Sequence, residues 1–239
     1  MPLAARAIVL NFGLNEAKKL FERNVLAESE DTKTKIIKTC CVVKTFVTWH
    51  QEKAARICRE RCGGASYLNK NRLPDVVLQA HSGMTAEGDN RVLMQKVVKD
   101  IFEHTQKKRH DAPHFDKERL AQLKKTENLN LETMKDLILM KEPFEIKRFA
   151  KVMKTKIMEQ ERKFYDVWMF ESNDDIQALA SAFGERFFLQ SAWKAYESCQ
   201  HQGAKDLLGK ILRLHMVDLL KEDMGFYLVH DLMSQQLAK

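Results

Sequence analysis

Apolar residues recur every three or four positions along most of this 239-residue chain, the spacing that lines one face of an α-helix. Leu3, Ile8, Val9, Phe12, Ala17, Leu20 and Phe21 share such a face over residues 2–27, and Gly13 inside the run weakens it only a little. Glu28-Ser29-Glu30-Asp31 breaks the pattern with acids that suit a helix start. Ile36, Cys40, Val43, Val47, Ala54 and Ile57 then predict a longer helix over residues 32–62. Gly63-Gly64 closes it, because glycine takes the left-handed geometry of a helix end without steric cost. From Ala65 to Thr85 the period fails. Asn69, Asn71, Pro74, Asp75 and Gly83 predict an irregular segment there, and loops of that length are uncommon and usually functional. A helix opening near Asp89-Asn90 runs through Val92, Leu93, Val97, Val98, Ile101 and Phe102 towards Gln106, and Asp111 to His114 reads as a linker. Further helices are expected over residues 116–126, 130–140, 143–167, 174–199, 204–221 and 226–236, with Pro143 at a helix-opening position. The bulky run Val167-Trp168-Met169-Phe170 reads as packing between helices.

This pattern predicts an all-α fold in two parts, a helical bundle over residues 1–110 and a second helical domain over 115–239. Only 9 Gly and 4 Pro punctuate the chain, with neither between Leu14 and Cys62, too few turns for a sandwich or barrel. At 44% hydrophobic and 31% charged residues, the chain can bury a sizeable core and is not of the disordered class. No window approaches the uninterrupted apolar run of a membrane span, and the start, broken by Arg6 and Asn11, lacks the pattern of a secretory signal. The five cysteines form an odd set without paired CxxC spacing, which favours a reducing compartment and offers no metal site. Cys58 and Cys62, one helical turn apart, read as two small packing residues. The formal charge is +7, from 40 Lys+Arg against 33 Asp+Glu, yet acids and bases are interspersed. The densest basic cluster, Gln106-Lys107-Lys108-Arg109-His110, reads as a solvated helix end rather than a nucleic-acid patch.

Candidate chemistry lies between Cys58 and Val98. Two glycines after a long helix allow close backbone approach to a flat or phosphate-bearing partner. A single carboxylate, Glu87, closes the irregular segment just before a helix whose first residues offer free N–H donors. The residues alone leave two readings open. In the plainer one, the glycines only cap a helix and Glu87 only complements the next helix dipole.

Cys58, Arg59, Cys62, Gly63, Gly64 and Tyr67, followed by Glu87-Gly88-Asp89-Asn90 at the mouth of the next helix, resemble two motifs of the acyl-CoA oxidases. These are flavoproteins related to the acyl-CoA dehydrogenases. Val47-Thr48-Trp49-His50 and the segment from Leu220 to Phe226 are similar to the family too. The resemblance extends over most of the chain and implies the C-terminal helical bundle of that family followed by its second helical domain. It further implies FAD-dependent α,β-dehydrogenation of a fatty acyl-CoA in β-oxidation, with O2 reduced to hydrogen peroxide. Glu87 would be the base that takes the α-proton, and its N–H would face the thioester oxygen. Gly88 would touch substrate beside it. Gly63 and Gly64 would lie against FAD, commonly that of the partner subunit in a homodimer, with Asp89 and Asn90 near the cofactor.

The chain also departs from the pattern. It has Ala65-Ser66 where many relatives carry His-Gly before the tyrosine, and Arg91 where they more often carry a small polar residue. Family members run to well over twice this length, with an N-terminal helical domain and a β-domain that cover the flavin. Little or no oxidase activity is therefore expected from this chain alone. An acyl-CoA dehydrogenase using another acceptor and a non-catalytic helical scaffold are the alternative readings. By resemblance the location is peroxisomal, otherwise cytoplasmic; the chain ends Gln236-Leu237-Ala238-Lys239, not in a Ser-Lys-Leu address.

Overall fold

A helix that is apolar around its whole circumference has to be covered on every side. Helix α8 (Asn173–Ser198) is of this kind, burying Ile176, Leu179, Ala180, Ala182, Phe183, Phe188, Leu189, Ala192 and Trp193. In a computed structural model that describes residues 1–24, 29–106, 112–114, 117–124 and 128–234, α8 is the central helix. Around it pack α1 (Pro2–Asn24), α2 (Glu30–Arg61), α4 (Asn90–Gln106), α6 (Leu131–Lys154) and α9 (Gln202–Glu222). The short helices α3 (Leu73–Thr85), α5 (Lys117–Lys124), α7 (Phe164–Asp166) and α10 (Met224–Val229) complete the set, and no strand occurs among the described residues. The fold is all-α.

One hydrophobic core runs from Val9 and Leu10 through Val42, Val98, Leu137 and Leu189 to Leu220 and Met233. The two segments expected as separate helical domains thus share it, because α8 faces α1 and α4 as well as α6. Part of the expected linker, and residues 107–110 of the basic cluster, lie outside the described residues.

Close approach of α1 and α2 to α8 depends on two glycines. A Cβ on Gly13 would overlap the Phe188 ring, and one on Gly184 would overlap the Phe46 ring. The two rings sit 5.2 Å apart between the helices. Gly13→Ala is accordingly expected to destabilise the chain by about 1–3 kcal/mol of overpacking, less the roughly 1 kcal/mol that alanine returns in helix propensity. Urea unfolding checks this: the loss should shrink in a Phe188→Leu background.

The structure corrects two sequence expectations. Residues 65–85 are not irregular: short 3-10 turns at Gly63–Tyr67 and Asn69–Asn71 lead into α3, where Pro74 occupies the first turn that tolerates it. Pro143 does not open a helix but sits inside α6. There Leu137, Ile138, Leu139, Met140, Glu142, Glu145 and Phe149 are all buried, so packing against α8 and α9 outweighs the hydrogen bond that proline removes. The Val167–Phe170 run divides: Val167 is buried and Trp168 packs on the core, but Phe170 is 73% exposed at a π-helical turn.

Candidate functional site

Between α3 and α4 the chain reverses through Glu87 (φ 56) and Gly88 (φ 102), both in the left-handed region. Glycine accepts that geometry freely; for a glutamate it costs on the order of 1–3 kcal/mol and persists only where neighbours impose it. Here the neighbour is Lys44 on α2. Its ammonium donates to the Met84 carbonyl at 3.2 Å, the Gly88 carbonyl at 2.6 Å and Asn90 Oδ1 at 2.7 Å. It therefore grips the turn on both sides of Glu87. Asn90, 2% exposed, donates through Nδ2 to Thr48 Oγ1 at 2.9 Å, and Thr48 Oγ1 in turn donates to the Lys44 carbonyl at 2.9 Å. Gly83 of α3 rests directly on Thr48.

Asp89 is spent on the helix. Its Oδ1 accepts from the Arg91 and Val92 amides at 2.9 and 3.3 Å, so it caps α4. Glu87 is exposed, and neither its carboxylate nor its N–H has a partner among the described residues. The turn thus presents a free carboxylate and free backbone N–H groups, that of Glu87 among them, from a backbone that Lys44 holds on both sides. Arg91 directs its side chain to solvent, while its carbonyl accepts from Gln177 on α8 at 3.1 Å.

Gly63 (φ 58) and Gly64 sit in the turn after α2, both exposed, with open space where a Cβ would project. Ser66, the departure from the family pattern, is buried and donates to the Gly63 carbonyl at 2.6 Å, so it braces this turn from inside. Arg59 lies over the Tyr67 ring, 5.6 Å from its centroid, and Tyr67 is 77% exposed. The two sequence motifs are not adjacent. The Glu87 turn is anchored at Lys44, and the glycines follow Cys62; at a helical rise of about 1.5 Å per residue the interval along α2 is about 27 Å. Within one chain Asp89 and Asn90 stand beside Glu87, whereas Gly63 and Gly64 lie at the far end of α3.

Two cavities among the helices are lined by neither Glu87 nor Gly63 and Gly64. One, of about 580 Å³, lies among α1, α2, α4 and α8 beside Lys35, Phe183 and Lys194. The other, of about 360 Å³, lies between α1 and α2 and includes Lys44. Glu87, Gly63 and Gly64 themselves are all exposed at the surface.

Sequence reasoning misses Lys44 and gives Thr48 no role beyond its place in the Val47-Thr48-Trp49-His50 segment. A lone lysine within the apolar run Cys40–Val47 was the available signal. Lys44→Met is expected to lower stability by about 1.5–3 kcal/mol, the worth of a charge-assisted hydrogen-bond set. Amide exchange should accelerate most at Gly88, Asn90 and Arg91, a local pattern that distinguishes loss of the pin from general loosening.

Fold and turn together define an all-α assembly with a pinned left-handed turn between α3 and α4. Residues 1–102 match the family described as acyl-CoA oxidase, C-alpha1 domain. The chain is 26% identical over 235 residues to the putative peroxisomal acyl-coenzyme A oxidase 3.2 of Arabidopsis thaliana, covering 93% of this chain and 34% of that protein. It is 21% identical over 252 residues to an acyl-coenzyme A oxidase-like protein of Mus musculus, covering 98% and 39%. In three dimensions it is similar to acyl-CoA oxidase-1 of Caenorhabditis elegans complexed with FAD and ATP. The TM-score is 0.85 at 16% identity, covering 99% of this chain and 37% of that one. The chain is thus similar to acyl-CoA oxidases over most of its length, and its first 102 residues match their C-alpha1 domain. It spans about a third of the length of the curated relatives it matches.

Proposed function

We propose that the chain supplies the C-terminal helical part of an FAD-dependent fatty acyl-CoA oxidase, with Glu87 as the base. One observation carries the reading: a strained, pinned turn holds a carboxylate and an N–H that have no partner among the described residues. Strain kept at a surface turn points to use. The carboxylate would take the α-proton of the acyl-CoA, and the Glu87 N–H would donate to the thioester oxygen as enolate-like charge develops there. Gly88 would let the thioester lie close to the backbone. FAD, held in part against Gly63 and Gly64, would supply the hydride acceptor when bound, with O2 as the final oxidant and hydrogen peroxide as its product.

The open, Cβ-free surface at Gly63 and Gly64 fits a flat partner such as the flavin nucleotide. Its distance from Glu87 supports the expectation that the glycines of one subunit face the FAD of its homodimer partner. Asn90 and Asp89 would act on the cofactor side chiefly by holding the turn. Peroxisomal location is proposed on the same basis as the activity, from the peroxisomal relatives.

The test is a chimaera in which this chain replaces the corresponding part of a flavin-loaded relative. Acyl-CoA should drive O2 uptake with peroxide release, and the isolated chain should give little or none. Reduction of an artificial acceptor without O2 uptake would instead favour the dehydrogenase reading. A chimaera that holds FAD and acyl-CoA yet passes no electrons would leave only the scaffold.

A further inference from the structure

Cys58 and Cys62 are not packing residues: both are exposed on the last turn of α2. Residues four apart on a helix share a face, with Cβ atoms about 5–6 Å apart. A disulfide needs about 3.5–4.5 Å between Cβ atoms, so the turn must tighten by about 1–2 Å for the pair to close. The chain is built to yield there. Cys62 is the residue that ends the helix, and its N–H is already shared between the carbonyls of Cys58 at 3.1 Å and Arg59 at 3.2 Å, the second being the tighter 3-10 pattern. Behind it stand Gly63, already left-handed, and Gly64, both with open space on the side-chain side. Arg59 and Arg61, with Glu60 between them, lie between the two cysteines in sequence and leave this turn with a net positive charge. The other cysteines are less suited: Cys41 is buried, burial pushes the thiols of Cys40 and Cys41 up, and Cys199, half-buried just past the end of α8, has no cysteine near it in sequence.

We propose that Cys58 and Cys62 form a reversible dithiol–disulfide pair that peroxide oxidises. One thiolate attacks a peroxide oxygen; the S–O bond forms, the O–O bond breaks, and hydroxide leaves as water. The second thiol attacks that sulfur; the S–S bond forms, the S–O bond breaks, and a second water departs. Two thiols lose two electrons, and one hydrogen peroxide becomes two waters. Closing the pair draws in the end of α2 and moves Gly63-Gly64. Its regulatory meaning, feedback on a flavin-facing edge by the enzyme's own product, rests on the proposed oxidase function; the chemistry of the pair does not.

The experiment treats the reduced full chain with hydrogen peroxide and maps it by mass. Trypsin cuts after Arg59 and Arg61, between the two cysteines, so the peptides carrying Cys58 and Cys62 stay together only if disulfide-linked. The expected result is a linked pair short of two hydrogens, released by dithiothreitol, abolished by Cys58→Ser or Cys62→Ser and kept in Cys199→Ser. Separate sulfinic acids on Cys58 and Cys62, or a bond only between two chains, would overturn the proposal. Because the readout needs no flavin, it stands or falls independently of the oxidase reading.

Discussion

Glu87→Gln is expected to lower acyl-CoA turnover in the chimaeric enzyme by about 10²–10⁴-fold, the usual worth of a positioned general base. The amide keeps the shape of the side chain but has no lone pair basic enough to take an α-proton. The backbone around it should not move, since Lys44 grips the carbonyls of Met84 and Gly88 and the Asn90 side chain rather than the glutamate. Acyl-CoA affinity should therefore stay nearly unchanged, so that kcat and kcat/KM fall together, the signature of an interaction made only in the transition state. Glu87→Asp separates placement from basicity: it keeps a carboxylate but withdraws it by one methylene, and an intermediate rate is expected. Equal turnover in the Gln variant would remove Glu87 from the mechanism.

Acid should loosen the junction of α1, α2 and α9. His215 on α9 is 4% exposed, its Nδ1 has no hydrogen-bond partner, and burial together with the Arg6 charge and His50 lowers its pKa from 6.5 to about 3. His50 on α2 is lowered too, by burial and then by Arg6. Arg6 is itself engaged with Glu222 at 3.4 Å, which Lys53 also pairs. The native state therefore holds these imidazoles neutral, while the unfolded chain protonates them below about pH 6.5. Unfolded chain then binds more protons than native chain, so stability rises with pH through this window and falls as pH drops. The contribution is fully present above about pH 6.5 and is lost towards pH 3, at up to about 1.4 kcal/mol per pH unit from His215. Urea midpoints at pH 7.5, 6, 5 and 4 should fall less steeply for His215→Leu than for the unaltered chain. Identical slopes would show that His215 does not carry the acid sensitivity.

The helical architecture was legible because its signal is local. Apolar residues at spacing three and four fixed α1, α2, α4, α8 and α9 to within a few residues at most of their described ends. The errors share a cause, in that each depended on what the segment packs against. Pro74 and Gly83 resemble turn signals, but α3 lies along α2 and holds its shape on Thr48. Pro143 resembles a start until α8 and α9 bury the residues on both sides of it. Cys58 and Cys62 lie in the apolar pattern of α2, yet the end of that helix extends beyond the core and leaves them in solvent. For the site, Glu87 and the glycines were legible as motifs, whereas the Lys44–Asn90–Thr48 set was not. Asn90 stands more than 40 positions from Lys44 and Thr48 and meets them only after α3 folds back along α2. The interval between the two motifs was equally invisible, since order along a chain says nothing about the length of the helix between them.

The most direct measurement uses an acyl-CoA whose β-carbon carries two methyl groups, so that α-protons remain but no β-hydride can leave. Incubated in D2O with the flavin-loaded chimaera, it reports proton removal alone. Mass spectrometry should show deuterium entering the α-position with unaltered Glu87 and almost none with Glu87→Gln. Equal deuterium uptake by both proteins would contradict the assignment of the carboxylate as the base.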